Sequence, residues 1–311
     1  MSQITSQDLV KAGVHFGHLR KKWNPKMLPY IFMEKKGIHI IDVNKTYEKL
    51  DEAAAAMKSI AKSGKKILFV ATKKQAKEIV KEIAMEVNMP FVTERWLGGM
   101  LTNFSTIRKS IKKMQSLDKA LKDGTLENVT KKERLVKTRE RDKMETVLGG
   151  IAPLNRLPAA LFMVDIMHEH IALNEAKKLN ISTFAMVDTN SDPNEVDFVI
   201  PANDDAAKSI EIITRYLAAA IKEGLEERKK MKAELELEEK AREEAEKQKK
   251  KEKEEKAKAE KAEKAEKKAK AEAESTDAKD SSEKVEATAE EVNEEGADEG
   301  KKKIIIKKTK K

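Results

Sequence analysis

The chain has 311 residues without a single cysteine, which excludes disulfides, thiolate nucleophiles and cysteine-ligated zinc, and no apolar run approaches the ~20 residues a membrane helix requires. Its net charge is +9, and the excess sits in the part that can fold: residues 229–311 hold 26 Lys and Arg against 25 Asp and Glu, leaving 38 against 30 on residues 1–228. A basic folded region favours a polyanionic partner, because neutralised phosphates release counterions. The opening MSQITSQDLV lacks the basic-then-apolar pattern of a secretory leader, so a soluble cytoplasmic protein is expected.

In chain order, the first feature is AGVHFGHLRKKWNPKM (12–27), where Arg20, Lys21, Lys22 and Lys26 surround Trp23 and two prolines, Pro25 and Pro29, predict an extended backbone. Strands are expected at IHIID (38–42), ILFVAT (67–72), FVTE (91–94), ALFMVD (160–165), TFAMVD (183–188) and FVIPAN (198–203). These runs are apolar on consecutive positions, the pattern of strands covered on both faces. Amphipathic helices lie between them at 47–63, 73–87 and 168–180, the first followed by Gly64 as a stop signal. Repeated strand–helix–strand units predict an α/β fold with a doubly wound parallel sheet.

Residues 105–147 break that rhythm with two helical segments around KDGTLENVT, predicting an antiparallel hairpin. Ile107, Ile111, Met114, Leu117 and Leu121 form a seam on the first segment, and Leu135, Met144 and Val147 a weaker one on the second. Thr130 and Glu133 have the spacing of a capping box. From about residue 229 the chain turns to Lys, Glu and Ala, compatible with a solvated helix, and beyond about 272 to a disorder-like composition ending in KKKIIIKKTKK.

A doubly wound sheet places its ligands at the carboxyl ends of its strands. Here those ends read Asp42, Thr72-Lys73-Lys74, Thr93-Glu94-Arg95, Asp165, Asp188 and Asn203-Asp204-Asp205, with no GxGxxG, GxxxxGK[ST] or GxSxG motif. Lys73 and Lys74 at a helix start suit an anion, which RNA supplies as well as a nucleotide does. His39 alternates with Ile38 and Ile40 and reads as a satisfied sheet histidine, while His168 reads as a cap or a local hydrogen-bonding group. Asp188, Asp204 and Asp205 end consecutive strands and could hold a divalent cation with His18; the alternative has the acids capping the last helix and a turn. In ERWLGGMLTNFSTIRKS (94–110), Trp96 anchors an elbow, Gly98 and Gly99 let it turn, Asn103 or Ser105 caps the hairpin, and Arg95, Arg108 and Lys109 face outward.

AGVHFGH (12–18), WNPKM (23–27), ATKKQA (71–76), RWLGGMLTNFSTI (95–107), LGGI (148–151), VDTNSDP (187–193) and IPANDDA (200–206) resemble, in order, the bacterial ribosomal protein S-two family. The resemblance covers residues 1–225. It implies a flavodoxin-like sheet with a protruding coiled-coil hairpin, seated on the solvent side of the small ribosomal subunit against its RNA, and helping to dock the RNA-binding protein S-one. The expected organisation is an α/β domain from 1–104 and 148–225, an inserted hairpin at 105–147, and a charged tail at 226–311 beyond the usual family length. IDVNKT (41–46) differs slightly from the usual family wording and ATKKQA (71–76) has alanine where glycine is common, neither touching that role.

The resulting expectation is a non-catalytic, ribosome-bound protein with neighbouring small-subunit proteins as further partners and with no membrane, small-molecule substrate or required cofactor. Arg20, Lys21, Lys22, Lys26, Lys73, Lys74, Arg95, Asn103, Arg108 and Lys109 are assigned to the RNA backbone. The rival is a nucleotide-binding enzyme with Lys73 and Lys74 on phosphate and Asp165 or Asp188 on a metal.

Overall fold

The computed structural model describes residues 4–123, 130–237 and 239. The chain divides into two compact units at residues 239 and 240. The second unit, and with it the expected charged and disorder-like tail beyond 239, lies outside the described residues, as does most of the KDGTLENVT turn.

The chain begins with helix α1 (Ser6–Lys11), held by a capping box in which Thr5 and Asp8 exchange side-chain and backbone bonds. Strands β1 (Phe16–Leu19), β2 (Ile31–Lys35) and β3 (Ile38–Ile41) then form a small antiparallel sheet in the order β1-β3-β2. This corrects the reading of IHIID. It is a strand, but its hydrogen bonds go to half-exposed neighbours in this small sheet and not to the parallel one. The stretch with Pro25 and Pro29 is also not extended. Pro25–Tyr30 coils into a 3-10 helix whose start is capped by Asn24 Oδ1, accepting from Lys26 N at 3.0 Å. Proline's fixed φ suits the first position of such a turn as well as it suits extended chain.

The large sheet contains β4 (Ile67–Val70), β5 (Phe91–Val92), β6 (Ala160–Val164), β7 (Ser182–Val187) and β8 (Phe198–Pro201), all parallel, in the order β5-β4-β6-β7-β8. Counted from β4, that is the 2-1-3-4-5 flavodoxin-like arrangement. Helices α2 (Val43–Lys62), α3 (Lys74–Glu86), α6 (His170–Lys178) and α7 (207–237) cover it. Every residue of β4 and β6 is buried, which is why these strands read as unbroken apolar runs. Alternate side chains feed two cores. Phe69, Phe162 and Phe184 pack with α2, α3 and α7, while Leu68, Leu161, Met163 and Ala185 pack with α6 and Trp96.

Between β5 and β6 stand α4 (Phe104–Lys122) and α5 (Lys131–Leu148), packed against each other. On α4, Ile107, Ile111 and Met114 are buried, and Leu117 and Leu121 are half-buried; on α5, Leu148 is buried while Leu135 stands exposed. Apolar cover therefore fades with distance from the sheet. Thr130 Oγ1 accepts from Glu133 N at 3.4 Å at the start of α5. Among the described residues, no helix is long and apolar enough to cross a membrane.

Candidate nucleic-acid interface

In this strand order the ligand crevice of a doubly wound sheet falls between β4 and β6, where chain direction from the sheet centre reverses. Here an ammonium fills it. Lys73, following β4, reaches Asp165 Oδ2 at 3.2 Å, Asp204 Oδ1 at 2.9 Å and Asp205 Oδ1 at 2.6 Å. Its side chain is only 13% exposed. Burial alone would lower the lysine's pKa, but Asp205 and Asp204 outweigh it and hold the ammonium above its usual value. Lys73 is thus set apart from the exposed cations among the expected phosphate ligands, because its charge is spent inside the protein.

The N-terminal segment closes over the same edge. His18 N donates to Thr189 Oγ1 at 2.8 Å, and Asn24 N to Thr189 O at 2.8 Å. Gly17 is required there by proximity: a Cβ would meet the Thr189 side chain at 2.6 Å. The docking brings His18 Nδ1 to 2.9 Å from Asp188 Oδ2, and Nε2 to 3.4 Å from Asp205 Oδ2. The Asp188 carboxylate raises the imidazole's pKa against the opposing effect of burial.

Asp188 and Asp204 are fully buried, yet Oδ2 of each lacks an aligned hydrogen-bond partner. For Asp188 Oδ2 the His18 nitrogen is close but out of line. Candidate ligand atoms of His18, Asp188 and Asp204 lie within 4.8 Å of one another. Burial, with Asp188 and Asp165 adding and Lys73 opposing, pushes the Asp204 carboxyl up to about 7. The capping alternative holds for neither Asp204 nor Asp205: Asn203 Oδ1 takes the backbone N–H groups of Asp205 and Ala206 before α7. Asp188 does share in the turn after β7, accepting from Thr189 N on Oδ1 at 2.5 Å.

The elbow at 95–103 is built around a group that the sequence pattern did not reveal. Glu175, buried on α6, accepts on Oε1 from Trp96 Nε1 (3.1 Å) and Gly99 N (2.7 Å), and on Oε2 from Leu101 N (2.9 Å), Thr102 N (3.0 Å) and Thr102 Oγ1 (3.1 Å). Burial by itself would raise this carboxyl. The N–H groups of Thr102 and Leu101, the Trp96 indole and Gly99 N–H outweigh it and hold Glu175 below the usual carboxylate range. Gly99 has φ +88°, so the backbone can turn its N–H inward there. A signal existed in the sequence. Glu175 lies within the buried stripe of Ala172, Leu173 and Ala176, where a lone acid implies a set of donors.

The other residues expected at the RNA divide by their partners. Lys21, Lys22, Lys74, Arg95 and Lys109 are exposed and make no ion pair among the described residues. Arg20 and Lys26 are exposed beside Glu34 (3.3 Å) and Asp192 (2.5 Å). Arg108 does not face outward: it is half-buried, donating at 2.9 Å to both Leu154 O and Asn155 Oδ1, and it pins the hairpin base to the following loop. Asn103 occupies the cap position of α4, but neither it nor Ser105 makes the expected side-chain cap bond. His39 is not the satisfied sheet histidine expected. Both ring nitrogens are buried without partners, and its ring packs 5.0 Å from that of Trp23. His168 Nδ1 meets Thr72 Oγ1 at 2.9 Å, across to the end of β4.

Residues 9–224 match the family model described as Ribosomal protein S2. The chain is 57% identical over 260 residues to the small ribosomal subunit protein uS2 of Parabacteroides distasonis, covering 84% of this chain and 94% of that one. It is 62% identical over 237 residues to the uS2 of Cytophaga hutchinsonii, covering 76% and 93%, and 62% identical over 229 residues to that of Porphyromonas gingivalis, covering 74% and 82%.

Proposed function

The chain belongs to the ribosomal protein S2 family, a structural component of the small ribosomal subunit and not an enzyme, and from that premise we propose that the carboxyl edge of its parallel sheet, with the base of the hairpin, binds small-subunit ribosomal RNA. The observation that carries this reading is the gathering of unpaired cations along one edge. Lys21 and Lys22 lie on the N-terminal segment docked at Thr189, Lys74 follows β4, Arg95 follows β5, and Lys109 lies near the start of α4. Exposed cations without internal partners are free to neutralise phosphates. Arg20 and Lys26 join them, since exposed ion pairs are weak and exchange readily for a phosphate. Asn103 and Arg108 shape the hairpin base, and Lys73 is left out.

Binding of neighbouring small-subunit proteins and docking of S-one in the cytoplasmic ribosome belong to the same reading. Exposed Phe16, Phe32 and Met33 on the small sheet supply apolar surface for a protein neighbour. The test is binding of a small-subunit RNA transcript across a salt series, with Lys21, Lys22 and Arg95 changed together to Ala. The log–log slope becomes shallower by roughly 0.7–0.9 for each phosphate that the variant no longer neutralises. An unchanged slope removes the assignment.

A second reading rests on the buried cluster in which Asp204 Oδ2 has no hydrogen-bond partner and Asp188 Oδ2 faces only the His18 imidazole. His18, Asp188 and Asp204 hold a divalent cation, with Asp205 orienting the imidazole through Nε2. Four acids (Asp165, Asp188, Asp204 and Asp205) face one ammonium and one imidazole, so a dication offsets charge that the protein leaves unbalanced. One nitrogen and carboxylate oxygens, without sulfur, suit zinc or manganese. Metal analysis after dialysis against zinc gives about one ion per chain in the wild type and none in Asp188→Asn/Asp204→Asn; equal content in both defeats this reading.

A further inference from the structure

Glu175 lies outside the elbow, on α6, yet five donors within residues 96–102 converge on its two oxygens, three of them backbone N–H groups. A carboxylate offers about four lone-pair sites and no proton, so with two of the five donors sharing a site on Oε2 it can accept all of these where no neutral side chain could. The elbow cannot keep this shape without it: Leu101 N would be left buried without an acceptor, and a buried unsatisfied N–H drives local rearrangement. Arg95 immediately precedes the caged residues. After them, Asn103 N donates to Gly99 O at 2.9 Å, and α4 carries Arg108 and Lys109. The cage therefore sets where the chain leaves β5 and at what angle α4 departs.

We infer that Glu175, a buried acid with no access to a polyanion, is the positioning residue for RNA binding at this edge: its carboxylate moulds the 96–102 elbow and so presents Arg95 on one side and Lys109 on the other to the same phosphate backbone. This inference rests on the RNA-binding reading above and adds a residue that acts through others. The charge sign makes it a sharp case, because removing a negative charge ordinarily strengthens binding to a polyanion. Here it weakens binding.

The experiment compares Glu175→Gln, Arg95→Ala and the double variant, with a small-subunit RNA transcript as probe over a salt series. Glutamine keeps the size but turns an NH2 group toward one set of donors. Binding by Glu175→Gln falls at least tenfold, its salt slope becomes shallower to about the extent seen for Arg95→Ala, and the double variant loses less than the product of the two single losses. Amide exchange at Gly99, Leu101 and Thr102 accelerates while the strands of the large sheet stay protected. If Arg95→Ala flattens the slope but Glu175→Gln leaves slope and affinity at wild-type values, the inference is overturned and the RNA reading stands. If Arg95→Ala changes nothing, both fall. Should Glu175→Gln fail to fold, Gly99→Ala takes its place. It strains the same elbow at φ +88° without touching the carboxylate, and it carries the same expected results and the same overturning one.

Discussion

Glu175 and Asp204 are both buried carboxylates packed near the large sheet, yet they handle their charge in opposite ways. Around Glu175, one loop supplies a donor for every oxygen lone pair, and the carboxyl is held below its usual range. Around Asp204, three other acids share one lysine and one imidazole with it, one of its oxygens has no donor, and the carboxyl rises to about 7. The contrast shows that burial does not fix the fate of an acid; the balance of donors against like charges does. The first site reads as architecture that shapes a surface. The second is a cluster of acids short of donors and counter-charge.

The comparison can be broken most directly at Lys73. Lys73→Met leaves Asp165, Asp204 and Asp205 without their ammonium and costs about 3–5 kcal/mol in urea unfolding, the range for breaking a buried ion pair. A loss under about 1 kcal/mol would show that the acids are already balanced by other means. Next comes Glu175→Gln, expected to cost about 2–3 kcal/mol by turning a donor onto donors. Its pH dependence sharpens the point. Because the folded carboxyl titrates below its unfolded value of 4.5, its contribution is present above that pH and is lost as pH falls through the folded value. The acid-side decline of the wild type is therefore shallower in the variant.

Asp204→Asn gives a smaller effect of a different kind. In chelator it costs under ~1 kcal/mol or stabilises, since it relieves like-charge crowding, but it abolishes the rise in melting temperature that added zinc gives the wild type. In the chelated wild type, the folded chain keeps the Asp204 proton up to about pH 7 while the unfolded chain releases it near 3.8. Stability from that group is present at low pH and is lost as pH rises towards 7; His18, raised above 6.5, adds in the same direction. Thermal melts between pH 5 and 8 check this, and a flat profile in chelator would contradict it. Arg95→Ala comes last on this scale, within about 0.5 kcal/mol of wild-type stability because the side chain is exposed and unpaired, so its effect is confined to RNA.

Much of the large sheet was legible because β4 and β6 are buried along their whole length and leave an uninterrupted apolar text. The small sheet was not. β1 and β2 are half-exposed or exposed, FGHL and IFMEK carry no clear alternation, and the sequence therefore offers β3 no partners other than the parallel strands. The acids at 188 and 204 could be placed together because they end consecutive strands. What could not be read was that Lys73 lies among them, 131 positions from Asp204, or that a helix glutamate would serve a loop 74 positions earlier.

Sequence by itself determined which faces are apolar, and hence the parallel strands, the helical hairpin, the absence of cysteine chemistry and the basic surface at the N-terminus. Those properties are local, written in periods of two and 3.6 residues. Only the tertiary structure decided which charge meets which: that Lys73 serves as an internal counterion, that the RWLGGMLTN elbow folds around Glu175, and that Asp188 meets His18 while Asp204 keeps an oxygen without a donor. A charged group's partner depends on strand order and closure across the whole domain, and no local pattern of residues encodes that.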